Sequence, residues 1–337
     1  MWQELTELPE ELLELDASML ADFLEKPTLV HLPGRHVEPL FVSVLLHGNE
    51  RVGWDAVREL LRHYHAEERE LPRALSLFIG NVQAAAEGRR ALEGQPDFNR
   101  VWPGTEIPKA PEARMMAAIV ERMREKGVFA SVDIHNNTGL NPHYACVNVI
   151  QQAHLHLATL FSRTVVYFIR PLGVQSIAFA ELCPAVTLEC GKVGDESGMR
   201  HAREYLDACL HLTEFPQHPV PHEDIDIFHT VATVKVPPNC SFSFHGEPAD
   251  MQFVPELERL NFSELSADTP FAIVGDSCRL DVTDETGQAV FHELFRVDDG
   301  NLKLTQPLMP AMLTSNEAVV RQDCLCYLME RYPYAAG

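Results

Sequence analysis

The sequence lacks an apolar run long enough to cross a bilayer. Runs such as LFVSVLL at 40–46 fall far short of the roughly 20 residues a spanning helix needs. The opening MWQELTELPEELLELD is acidic, without the basic-then-apolar order of an export signal. Neither a leader nor an anchor is therefore expected, and a cytoplasmic location is. Positive charge is also scarce. Lys and Arg total 27 against 49 Asp and Glu, a formal charge of −22. Such a field repels phosphate backbones and anionic lipid surfaces, so neither nucleic acid nor membrane is an expected partner. Eight cysteines are present without a framework spacing, and they are expected as reduced thiols. The pair Cys324 and Cys326 is C-x-C, not the C-x₂-C usual in zinc sites. No repeat or low-complexity tract appears, and 46% hydrophobic with 23% charged residues is the balance of a globular protein.

Within that frame, residues 1–38 carry short leucine-rich, acidic patterns (ELTELPEELLELD, ASMLADFLEK) read as short helices, before a turn at HLPGRH. Strand and helix patterns then alternate. PLFVSVLL, LSLFIGN, VFASVDIH, YACVNVI, TVVYFI and PAVTLEC read as strands. VGWDAVRELLRHYHAEER, APEARMMAAIVERMREKG and SGMRHAREYLDACLHLTEF read as helices, the second closing on Gly127. This order predicts an α/β fold with a mostly parallel or mixed sheet flanked by helices. Proline-rich QHPVPHEDID then gives way to short strands broken by Pro, Gly and Asp. We expect a catalytic domain over 1–218 and a smaller β-rich domain over 219–337.

In an open α/β sheet, ligands collect beyond the carboxyl ends of the strands. Three segments deliver polar groups there: His47 and Glu50 after the first strand of the alternation, Asp133 and His135 at the end of VFASVDIH, and Glu189 at the end of PAVTLE. His47, Glu50 and His135 supply the two imidazoles and one carboxylate of a catalytic zinc that keeps a position for water. Glu189, outside that set, is the expected general base. Asp133, two residues before His135, points to the same face and is a candidate to orient a ligand. The histidines of HYH (His63, His65) and HLH (His154, His156), and His245, read as surface or packing residues.

HGNE at 47–50, GN at 80–81, GRR at 88–90, DFNR at 97–100, DIH at 133–135 and TLECGK at 187–192 together resemble the succinylglutamate desuccinylase and aspartoacylase family, a branch of the zinc carboxypeptidase fold. The motifs run in the family's order over about residues 40–200. The resemblance implies one Zn2+ per chain on His47, Glu50 and His135, and Glu189 as the activator of water. It also implies that Arg90 polarises the scissile carbonyl, with Arg89 as an alternative, and that Asn99 and Arg100 hold the substrate carboxylate. Asn81 is followed by Val82 where the family has proline. Gln175 falls where aspartoacylases carry a substrate-binding arginine, and a glutamine offers no charged fork; Lys192 or Arg170 is the candidate replacement.

The expected function is a zinc-dependent amidohydrolase that cleaves the amide of a small N-acyl amino acid. A metallocarboxypeptidase acting on short peptides, and a zinc-binding protein without turnover, are the alternatives. Homo-oligomerisation stays open.

Overall fold

A computed structural model describes residues 2–275 and 278–334 and divides the chain into two compact units. One comprises 2–136, 143–226 and 334, the other 137–142, 227–275 and 278–333.

The apolar run PLFVSVLL becomes the core of β3, His36–Val44, whose last six residues are all buried. A strand apolar on both faces belongs in the interior of a parallel sheet. β4 (Arg73–Ile79) and β5 (Ala130–Asn137) lie parallel to it on either side. With β1 (Gln3–Leu5), β2 (Thr28–Leu32), β6 (Tyr144–Val147), β7 (Thr164–Tyr167) and β8 (Ala185–Lys192), the order in the first unit is β1-β2-β4-β3-β5-β8-β6-β7. β2 opposes β4 and β6 opposes β8, so the sheet is mixed.

Helix α1, Val52–Ala66, buries Gly53, Val57, Leu60, Leu61 and Tyr64, the i, i+4, i+7, i+8 stripe of a half-buried helix. A short α2 spans Val82–Ala86. α3, Pro111–Lys126, opens on proline with Glu112 in its first turn and ends where Gly127 takes φ 71°, the left-handed conformation glycine adopts without steric cost. Two further helices are α4 (Gln152–Thr159), which carries the HLH histidines His154 and His156, and α5 (Gln175–Ala180). α6, Glu196–His211, is capped by Asp195, which accepts from the Ser197 N–H, and it packs on α1. Phe41 stacks on Phe179 at 4.3 Å, with Trp102 edge-on to Phe78 and Phe179.

The N-terminal expectation needs correction. Residues 3–5 are a strand, and Glu10–Glu14 and Ala17–Asp22 are 3₁₀ turns. Pro9 and Asp16 break the pattern into pieces too short to repay α-helix nucleation.

In the second unit β9 (Asp226–Lys235) pairs antiparallel with β13 (Asp281–Asp284) and β17 (Cys326–Arg331), and β17 with β16 (Met309–Ala311). A second sheet has the order β10-β11-β12-β15-β14, formed by Phe242–Ser243, Met251–Phe253, Pro270–Val274, Asn301–Leu304 and Phe295–Asp298. Phe271 and Phe295, both fully buried, meet edge-to-face at 5.4 Å. Cys240 and Cys278 form a disulfide. That corrects the expectation of eight reduced thiols; the other six, Cys324 and Cys326 among them, form no disulfide and are buried.

His154 on α4 is buried, and neither ring nitrogen has a partner among the described residues. Burial pushes its pKa below the ordinary 6.5. The unfolded chain therefore binds a proton that the folded chain resists, so this site costs no charging energy above pH 6.5 and costs stability as pH falls through that value. His154→Leu is expected to raise stability by about 1 kcal/mol at neutral pH and by more at pH 5. Thermal unfolding of both proteins at the two pH values checks this; a gain that shrinks on acidification would contradict it.

Candidate metal centre

The loop that follows β3 is shaped by three close approaches. Leu45 takes φ 56°, a conformation costing a non-glycine residue about 1–3 kcal/mol. Its carbonyl accepts from the Asn81 N–H at 2.7 Å, and a Cβ on Gly80 would lie 2.8 Å from that oxygen. Asn81 also caps α2 by accepting from the Ala84 N–H, and donates to Gln95 at 2.8 Å. The GN motif at 80–81 is thus the backing of the HGNE loop. Gly48 completes the seat: a Cβ there would fall 2.3 Å from the Ala85 nitrogen and 2.4 Å from the Ala84 carbonyl carbon. Gly48→Ala must displace either the loop or α2, and a drop in turnover of at least about tenfold is expected from misplacement of His47 and Glu50. Turnover and circular dichroism together read this; unchanged turnover in a folded variant would contradict it.

The sheet brings His47, Glu50 and His135 together, all buried, with one donor atom from each lying within 4.8 Å of the others. Both Nδ1 atoms turn to the same carboxylate: His47 Nδ1 lies 2.8 Å from Glu50 Oε1, and His135 Nδ1 lies 2.7 Å from Oε2. The outer nitrogens meet acids of their own. His47 Nε2 faces Asp97 Oδ1 at 2.9 Å, and His135 Nε2 faces Asp133 Oδ2 at 2.7 Å. A carboxylate behind an imidazole fixes its tautomer and directs the other nitrogen's lone pair inward, as in metal-ligating histidines. The donor set and its backing therefore fit a divalent ion such as Zn2+. Burial pushes the Glu50 carboxyl up, but the His47 and His135 imidazoles outweigh it and hold the group below the ordinary carboxylate range. Asp133 is fully buried and also accepts from Ser43 Oγ at 2.7 Å.

Sequence reasoning gave no role to two residues that shape this centre. Asp97 takes His47 Nε2 on one oxygen and the Arg90 guanidinium on the other, at 2.9 Å from Nη2. Asn136 accepts from the Val52 N–H at the start of α1, donates to the Gly191 carbonyl beyond Glu189, and sends its own N–H to Glu50 Oε2 at 3.2 Å. Asp97 had a signal, the first letter of DFNR; Asn136 had only its place after His135.

The remaining candidates divide. Arg90 Nη1 stands 3.5 Å from Glu50, whereas Arg89 points away to Glu87. Asn99 is buried, with Oδ1 accepting from the Gln175 N–H and Nδ2 near Asp133 Oδ2 (3.3 Å) and His135 Nε2 (3.1 Å). Arg100 Nη1 donates to the Asn99 carbonyl. Gln175 is fully buried and donates to Ser131 Oγ. Lys192 is exposed at the end of β8, and Arg170, half-buried, precedes a cis-proline.

Glu189 sits on β8, the strand beside β5, and is buried. Its Oε2 has no hydrogen-bond partner among the described residues. Burial pushes its pKa up to about 8; His135 and Arg90 oppose the rise, and Glu50 and Asp133 add to it.

Two imidazoles and a carboxylate at adjacent strand ends, with a buried acid beside them, define a candidate metallohydrolase centre. The chain belongs to the succinylglutamate desuccinylase/aspartoacylase family, whose catalytic-domain model matches residues 38–212, more than half of the 337. It is a family of zinc-dependent deacylases. No curated protein sequence matches the chain. Among solved structures, the fold is similar to the succinylglutamate desuccinylase of Chromobacterium violaceum, with TM-score 0.59 and 19% identity over 89% of this chain and 86% of that one. It is also similar to a succinylglutamate desuccinylase/aspartoacylase from Rhodobacter sphaeroides, with TM-score 0.58 and 14% identity over 90% and 89%. Murine aminoacylase 3 gives TM-score 0.54 and 14% identity over 88% and 96%. Among the described residues no helix is long and apolar enough to cross a membrane.

Proposed function

We propose that this protein is a cytoplasmic zinc-dependent deacylase that hydrolyses the amide bond of a small N-acyl amino acid, releasing a carboxylic acid and the free amino acid. The observation that carries the reading is the convergence of two carboxylate-backed Nδ1 atoms and Glu50 next to a buried, unpartnered Glu189 oxygen.

His47, Glu50 and His135 would hold the ion, which when bound supplies Lewis acidity toward a carbonyl oxygen and acidifies water. Glu189 takes the proton from the attacking water and delivers it to the departing amine nitrogen. A carboxyl whose pKa lies near working pH suits both halves of that transfer. Arg90, oriented by Asp97, presents N–H donors to the oxygen that gains charge, favouring the transition state over the substrate. Arg100 pairs with the substrate's α-carboxylate through its planar fork. Asn99 Nδ2 carries two N–H groups, so one can serve Asp133 while the other turns to the same carboxylate. Lys192 or Arg170 supplies positive charge for a second carboxylate, which favours a diacid acyl group or an acidic amino acid.

The test is amine release from N-succinyl, N-acetyl and N-formyl amino acids alongside dipeptides and tripeptides, with Glu189→Gln as blank. Cleavage of an acyl amino acid well above any peptide supports the proposal. Cleavage of peptides alone would make the protein a carboxypeptidase, and bound zinc without turnover of any of them would leave a binding protein.

A further inference from the structure

We propose that His143 and His201 form a second metal site, a two-imidazole chelate for a divalent transition ion such as Zn2+ or Cu2+, separate from the His47–Glu50–His135 centre. His143 precedes β6 and His201 lies in the second turn of α6. Their Nδ1 atoms face each other at 3.1 Å. Two nitrogens bound to one ion at about 2.0–2.1 Å stand roughly 2.9 Å apart in a square plane and about 3.3 Å apart in a tetrahedron. The observed separation lies between those limits.

The outer nitrogens are held less closely than in the first centre. His143 Nε2 looks toward Asp195 Oδ2 at 3.8 Å. The Phe161 backbone favours the protonated form of His201 and partly offsets the effect of burial. The two Nδ1 atoms thus face one another, with the Asp195 carboxylate on the far side of the His143 ring, where an acid helps orient an imidazole for a metal. Phe161 also fixes the rings: His201 stacks on it at 4.2 Å and 13°, and His143 lies over it at 6.3 Å and 25°. The imidazole centroids are 5.3 Å apart at a 36° tilt, against 4.8 Å and 55° for His47 and His135. Burial, then the neighbouring His143, push the His201 pKa down, and neutral imidazole is the form that binds a metal. A simple hydrogen bond between the rings would use the same two nitrogens, so metal and shared proton compete there. Both residues are half-buried, which leaves room for water to complete the coordination. With two protein ligands in place of three, this site is the weaker of the two.

Calorimetric titration of the metal-stripped full chain with Zn2+ tests this. Wild type is expected to take two ions, the second at micromolar affinity. His201→Gln and His143→Gln, each still folded by thermal unfolding, are expected to keep the first ion and bind the second at least about tenfold more weakly. Copper added to the zinc-loaded protein should show nitrogen hyperfine coupling by electron paramagnetic resonance, lost in either variant. A single ion in wild type would overturn the proposal. So would a second ion retained by both variants, which would move it to another pair such as His156 and His218, whose rings lie 5.2 Å apart.

Discussion

Glu189→Gln is expected to lower the rate of amine release by about 10²–10⁴-fold, the usual contribution of a positioned proton-transfer group, while zinc stays bound. The substitution keeps the shape of the side chain and removes the proton acceptor. Glu189 contributes no atom to the His47–Glu50–His135 cluster, so metal content should not change. Because its Oε2 lacks a hydrogen-bond partner among the described residues, an amide there disrupts no existing bond, and stability should hold or rise slightly. Metal analysis, a melting curve and a turnover assay on the same preparation separate these outcomes. Near-wild-type turnover would eliminate Glu189 as the base.

His47→Ala is expected to remove the ion of the His47–Glu50–His135 centre and activity together. The imidazole spans Glu50 on one side and Asp97 on the other, so its loss takes away a ligand and leaves Asp97 with only its arginine and backbone partners. Zinc binding that favours the folded chain stabilises it by about 2.7 kcal/mol at a free concentration one hundred times Kd. Wild type should therefore melt several degrees higher with one equivalent of zinc than after chelation, and His47→Ala should lose most of that shift. A zinc-dependent shift that persists in the variant, with turnover intact, would place the working metal elsewhere.

Much of the catalytic unit was legible because its elements obey strict periods. The continuous apolar run of β3, the stripe of α1 and the proline-to-glycine punctuation of α3 each leave one structural solution. His135 and Asp133 share a face through simple strand alternation. What escaped depended on contacts between distant segments. The strand Thr28–Leu32 is five residues long and, without context, reads like the lead-in to the HLPGRH turn. Cys240 and Cys278 are 38 residues apart, and nothing in their spacing marks a pair. Gly48 is explained only by α2 passing behind it, and Asn136 only by three strand and helix ends meeting at its side chain. Nor does anything in DFNR announce that Asn99 Oδ1 accepts from the Gln175 N–H, a bond that spans 76 residues.

The most direct test of the central claim is a zinc titration of metal-stripped protein, followed by amine release from the N-acyl amino acid that the panel identifies as best. Activity should be absent without metal, rise to its plateau at one equivalent of zinc per chain, and fail to appear at any zinc level in His47→Ala. Full activity in the stripped protein, or a plateau reached equally by His47→Ala, would contradict a hydrolytic zinc on His47, Glu50 and His135.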